Sequence, residues 1–133
     1  MKAGVIPIAL NTLLATPVYE AILKDARPSG LVVSAELWAV VAPAVSACDQ
    51  LRQIIVVGDA VEGAQSYAAF MQGAQARPAV QVSADETAFW LYSSGSTGRP
   101  KGVRHVHGSM RATAETYGAQ VLGVRPDLSL IHI

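Results

Sequence analysis

The chain has little charge and almost no cysteine, and each shortage narrows what it can be. Charged residues make up only 15% of its 133 residues, against about 25% in an ordinary soluble domain. Ten basic side chains balance ten acidic ones. A net charge of zero removes the global field that a nonspecific nucleic-acid binder or an anionic-membrane binder would use, so neither nucleic acid nor membrane is expected as a partner. The single cysteine, Cys48, excludes an internal disulfide and has no C-x-x-C neighbour for zinc. A reducing, cytoplasmic setting follows, with Cys48 read as a small core residue behind an apolar stretch. No apolar run approaches the roughly 20 residues a bilayer requires. The most apolar one, residues 37–47, carries Pro43 and Ser46. The start, Met1-Lys2 and then apolar residues to Ala15, has the outline of an export signal, yet Pro7, Asn11 and Thr12 interrupt it and no small-x-small site follows. The preferred reading is a buried strand over residues 4–8, followed by a loop. No internal repeat occurs.

What is abundant is apolar surface. Hydrophobic residues reach 51% and the mean hydropathy is +0.33 at a mass of 13.9 kDa. A chain of this size is at most one ordinary domain, with too much surface to keep dry. Part of that surface is therefore expected to be covered by something outside this sequence, as in a piece of a larger protein.

Strand-like and helical signals alternate. Val5-Ile6-Pro7-Ile8 reads as a short strand that Pro7 confines to an edge or an end. Thr16-Pro17 reads as a helix start, a capping hydroxyl before a proline at the first helical position. Val18, Ile22 and Leu23 then recur at helical spacing until Arg27-Pro28. Leu31-Val32-Val33 predicts a buried strand, and Ser34 caps a helix over about residues 35–46 with Glu36 well placed in its first turn. Ile54-Ile55-Val56-Val57, closed by Gly58-Asp59, is the clearest strand. A weaker helix is expected over about 66–72, a loop over 74–85, a strand over 88–92 and a fourth helix over about 109–122. Apolar strands separated by single helices predict an α/β fold, a parallel sheet flanked by helices and covered on both faces.

The informative stretch is Ser93-Ser94-Gly95-Ser96-Thr97-Gly98-Arg99-Pro100-Lys101-Gly102. Glycines let a backbone turn with positive φ and bring N–H groups close to an anion; hydroxyls add donors, and lysine adds a mobile point charge. No carboxylate occurs between Glu86 and Glu115, while Arg99, Lys101, Arg104 and Arg111 all do. In a neutral protein that local excess of cation points to an anionic ligand. A flexible Gly/Ser linker has a similar composition, but does not normally sit between Phe89-Trp90-Leu91-Tyr92 and Gly102-Val103 or carry a rigid Pro100 beside a lysine. A Walker A loop needs glycine directly before the lysine and Ser/Thr after it, whereas Lys101 lies between Pro100 and Gly102. No G-x-G-x-x-G occurs either, so the dinucleotide fingerprint is absent.

The run from Tyr92 to Gly102 resembles the phosphate-loop motif of the adenylate-forming (AMP-binding) superfamily, which includes acyl- and aryl-CoA ligases, luciferases and peptide-synthetase adenylation domains. Gly4-Val5-Ile6-Pro7-Ile8 with Asn11-Thr12-Leu13-Leu14, then Phe89-Trp90-Leu91-Tyr92, then His105-Val106-His107, resembles the benzoate-CoA ligase branch. The resemblance runs from Met1 to about Asp127. It implies part of the large N-terminal domain of an acid–thiol ligase that uses ATP, Mg and coenzyme A. An aryl carboxylate attacks the α-phosphorus of MgATP to give an acyl-adenylate and pyrophosphate, and the thiol of coenzyme A then displaces AMP. In such enzymes the loop matching Ser93, Ser94, Gly95, Ser96, Thr97, Gly98 and Lys101 holds the β- and γ-phosphates, with Lys101 the catalytic charge. Arg99 falls at a variable position and is left out of the site.

His105 and His107 would share one face of an extended segment, a spacing able to chelate metal. With Cys48 alone and the carboxylates scattered, no metal is expected. They read as local hydrogen-bonding residues, His107 matching a recurring histidine of the family. Trp90 and Tyr92 read as core and loop-support residues.

The departures matter as much. The family's later motifs, which contact adenine, ribose and Mg and supply a second lysine, are missing, and Met1 matches an internal position. The expectation is a fragment of an N-terminal domain over residues 1–127, inactive without the remainder of the parent polypeptide. A divergent, artefactual tail is expected over 128–133. Two other readings remain open: another adenylate-forming enzyme, such as a fatty acyl-CoA ligase or a carrier-protein-loading domain, and a stand-alone nucleotide-binding module. Acyl-pocket residues, which lie mostly beyond residue 133 in the family, would separate the first; MgATP titration would separate the second.

Overall fold

A computed structural model describes residues 1–94, 98–125, 127 and 128. It divides into two units, one of Met1–Ile8, Ala79–Trp90 and Arg104–Ile133, the other of Ala9–Pro78 and Leu91–Val103.

The second unit holds an α/β core. Helix α1, Thr16–Ala26, is followed by strand β2, Gly30–Ser34, helix α2, Ala35–Ser46, strand β3, Gln53–Val57, the short strand β4, Gln65–Ser66, and helix α3, Tyr67–Met71. Strands β2, β3 and β4 form one parallel sheet in that order, with Val33 opposite Val56 and Val32 opposite Ile55. Tyr19 and Leu23 of α1, Val41 and Ala44 of α2, Val33, Val56 and Cys48 make one buried cluster. Cys48 is thus a free, buried core thiol.

Local sequence explains most of these elements. Ser66 caps α3, its hydroxyl accepting from the Ala69 N–H at 3.2 Å. Arg27 ends α1 in the left-handed region, φ 49°, and donates its N–H to the Leu23 carbonyl. Gly58, with φ +107°, closes β3 where a side chain would press on Ala35.

Four local expectations differ from the structure. The N-cap of α1 is Ala15, not Thr16; the Thr16 hydroxyl instead donates to the Val40 carbonyl at 2.8 Å, a tertiary partner. Ser34 occupies the N-cap of α2, but its side chain makes no capping bond. Strand β1 is only Ile8–Ala9, and Val5 and Ile6 are exposed rather than buried. The parallel sheet is not covered throughout either, since Val32 remains 62% exposed.

The other sheet has the order β1, β5, β6, with β5 at Thr87–Ser93 and β6 at Lys101–Val106. Only residues 94–100 join β5 to β6, too few for the crossover that parallel strands need, so the two form an antiparallel hairpin. In the first unit Phe89 stacks on His105, rings 4.7 Å apart and 8° from parallel. Helix α4 begins at His107, two residues before the expected start, and spans His107–Thr113. The N–H groups of His107 and Gly108 bond to the carbonyls of Glu86 and Ala84, partners that local sequence cannot announce. From Ala114 to Val121 the helix widens into a π-helix.

Candidate functional site

The antiparallel hairpin β5–β6 carries the candidate site at its closed end. Thr87, Phe89, Trp90 and Tyr92 are β-branched or aromatic, as suits a pleated strand. The strand is held on one side by the Trp90 N–H, which donates to the Pro7 carbonyl at 3.0 Å. At its end, within the second unit, Ser93 and Ser94 are exposed. On the returning side Gly98 has φ +72°, and no described residue comes within 4 Å of where a side chain would begin. Pro100 then fixes the backbone before Lys101, the first residue of β6, which is also exposed.

Tyr92 lies across Gly102, so that a β-carbon at Gly102 would stand 2.9 Å from its Cζ and 3.0 Å from its hydroxyl oxygen. Strand β5 ends on Ser93 and β6 begins on Lys101. The hairpin thus brings together Ser93, Ser94, Gly98 and Lys101, while Gly95, Ser96 and Thr97 lie outside the described residues. Arg99 is exposed on the same turn. Arg111 is engaged elsewhere, its Nε 2.6 Å from the Glu115 carboxylate.

The two histidines part company. His105 is in β6 against Phe89, whereas His107 starts α4, so they do not share an extended face. Among the described residues no group of three or more His, Cys, Asp or Glu could hold a metal ion.

One member of this region was not legible in the sequence. The Tyr92 hydroxyl donates to Asp25 Oδ2, at 2.5 Å, in the last turn of α1. Partial burial, then this bond and the charge of Asp25, push the Tyr92 phenol well above the usual tyrosine range. The available signal was Asp25 itself, an anion at the helix end where the dipole disfavours one.

At the hairpin end Ser93, Ser94, Gly98, Arg99 and Lys101 are all exposed. This is a mixed α/β protein with a parallel sheet and a Ser/Gly-rich hairpin whose sequence is neither Walker A nor dinucleotide-type. The chain belongs to the AMP-binding enzyme family, whose model matches residues 1–133. A benzoate–CoA ligase of Thauera aromatica is 43% identical over 126 residues, 94% of this chain and 24% of that protein. A 4-hydroxybenzoate–CoA/benzoate–CoA ligase of Rhodopseudomonas palustris is 40% identical over 128 residues, 96% of this chain and 24% of the relative. The crystal structure of the anthranilate CoA ligase AuaEII in complex with anthranoyl-AMP superposes with a TM-score of 0.86 at 35% identity, covering 93% of this chain and 24% of that one. The chain therefore spans about a quarter of the length of the relatives it matches. The mixed α/β architecture with a parallel sheet element agrees with the fold expected from sequence. No helix among the described residues is long and apolar enough to cross a membrane.

Proposed function

We propose that this chain is part of an ATP-dependent aryl-CoA ligase, and that its β5–β6 loop holds the β- and γ-phosphates of ATP while an aryl carboxylate is adenylated. The observation that carries this reading is the hairpin end, where β5 closes on Ser93 and β6 opens on Lys101, both exposed. Donors fixed there meet the departing pyrophosphate, whose charge grows as the bond from the α-phosphorus to its bridging oxygen breaks. Ser93, Ser94, Ser96 and Thr97 supply hydroxyls, Gly95 and Gly98 allow close backbone approach, and Lys101 supplies a point charge. Coenzyme A then takes the acyl group and AMP leaves.

The residues present suit a polyphosphate: the turn is open at Gly98, its cations are exposed, and no acidic residue stands within it. Mg would come with the nucleotide rather than be held by a cluster of this chain's described residues, and would offset phosphate charge there. The names of the relatives support an aryl carboxylate as substrate. Residues 1–127 act within the N-terminal domain with the remainder of the ligase, in the cytoplasm, where a buried free thiol such as Cys48 suits a reducing medium. Residues 128–133 are a divergent tail, and finding them intact within a longer natural reading frame would remove that part of the proposal.

The test is Lys101→Ala in the complete ligase, with benzoate and a long-chain fatty acid offered in turn. Carboxylate-dependent ATP–pyrophosphate exchange should favour benzoate and fall by roughly 10- to 1000-fold in the variant, the scale for losing one preorganised charge. The melting temperature should be unchanged, because Lys101 is exposed. Unaltered exchange kinetics would overturn the phosphate-loop assignment, and preference for the fatty acid would overturn the aryl assignment.

A further inference from the structure

We infer that Asp25 and Tyr92 act as a positioning pair for the phosphate loop, tying its hairpin to the end of helix α1 through a hydrogen bond and a ring laid over Gly102. The inference rests on the reading of residues 93–101 as a polyphosphate site. Three independent features converge on it.

Asp25 sits where its own helix gains nothing from it. In the last turn of α1 a carboxylate meets the negative end of the dipole, while Lys24 beside it already pairs with Glu20. A residue that breaks a local rule is expected to serve a tertiary purpose. Its partner is the Tyr92 hydroxyl, 67 residues further along the chain.

Tyr92 directly precedes Ser93, so whatever fixes its ring fixes the point from which the loop departs. The charge on the acceptor makes this stronger than a neutral hydrogen bond.

Gly102 directly follows Lys101. The ring of Tyr92 occupies the space a side chain at Gly102 would need, and a contact of 2.9 Å is closer than a real β-carbon tolerates. A tyrosine free to swing aside could yield to a larger residue; one bonded to Asp25 yields less readily. The same ring therefore neighbours the residues on both sides of the loop, the serine that opens it and the lysine that closes it. Tyr92 and Asp25 need not touch the nucleotide to set where Ser93 and Lys101 stand, and positional errors of about 1 Å are costly in such sites.

The two half-reactions separate this role from simple structural support. Adenylation needs the pyrophosphate-holding loop; transfer from a preformed aryl-adenylate to coenzyme A does not. In the complete ligase, Tyr92→Phe and Asp25→Ala should each slow adenylation about tenfold, the usual value of one charge-assisted hydrogen bond. Transfer from synthetic aryl-adenylate should stay within about twofold. The double variant should be no slower than either single one, because both remove the same bond. Asp25→Asn retains an acceptor and should recover to within about threefold of the unsubstituted enzyme. Unchanged adenylation in Tyr92→Phe, alongside a slow Lys101→Ala, would overturn the positioning pair and leave the phosphate loop standing. Equal slowing of both half-reactions, or a fall in melting temperature that accounts for the loss, would also overturn it in favour of a structural contact. Unchanged adenylation in Lys101→Ala would instead remove the phosphate-loop reading itself.

Discussion

The two units of the chain differ in how they treat apolar surface. In the second, Tyr19, Ile22, Leu23, Val41, Ala44, Cys48, Ile55 and Val56 are almost wholly withdrawn from water by α1, α2 and the parallel sheet. Among the described residues of the first, only Ala88 is comparably buried, while Val5, Val80, Met110, Tyr117, Val121, Leu122 and Val124 are exposed. An apolar groove of about 480 Å³, lined by Phe89, His105, Met110, Tyr117 and Leu122, lies open there. Nearly equal apolar composition thus produces a core in one unit and uncovered surface in the other. Composition states how much apolar area exists; only the packing partners state whether it is removed from water.

The comparison breaks most readily at its best-buried point. Leu23→Ala should cost about 2–5 kcal/mol in urea unfolding, because Leu23 is 3% exposed within a close-packed cluster. The matching truncation Leu122→Ala should stay within about 0.5 kcal/mol, its side chain being 57% exposed. Similar costs at the two positions would show that the first unit buries its helices as well as the second.

Gly63 and Gly98 sharpen the comparison between frame and site. Both have positive φ, +80° and +72°, with no described residue within 4 Å of a would-be side chain. Valine at either should therefore lower stability by a similar amount, about 1–2 kcal/mol for the left-handed backbone. Only Gly98→Val should also weaken ATP binding in the complete ligase, read as a higher KM for ATP. Equal effects on KM would place the nucleotide elsewhere.

The smallest expected effect is in pH. Folding raises the pKa of Tyr92, so what its protonated hydroxyl contributes is fully present below the ordinary tyrosine value of about 10. It is lost only as pH rises through the higher folded value. Spectrophotometric titration should show a phenol ionising above the ordinary tyrosine value of about 10, a step that Tyr92→Phe deletes. Absence of that step would mean the bond to Asp25 is not maintained in solution.

The elements legible in advance were those whose causes lie within a few residues. The β-branched run of β3, the extent of α2 and the loop over 74–85 all rest on local backbone preference. Where an element depends on a distant partner, local reading fell short. Thr16 gives its hydroxyl to Val40 instead of capping its own helix, and α4 starts early because carbonyls of Glu86 and Ala84 receive its first N–H groups. Val5 and Ile6 carry strand-forming side chains, yet remain 64% and 48% exposed.

By itself, the sequence determined the α/β alternation and the family to which the chain belongs, because the Ser-Gly-Lys motif is written in consecutive residues. Tertiary structure alone decided that Lys101–Val106 forms a strand neighbouring β5. It also decided that Asp25 reaches Tyr92 across 67 residues, and that Gly102 lies under that ring. Such pairings depend on which surfaces meet once the chain has closed on itself, and no local spacing carries that information.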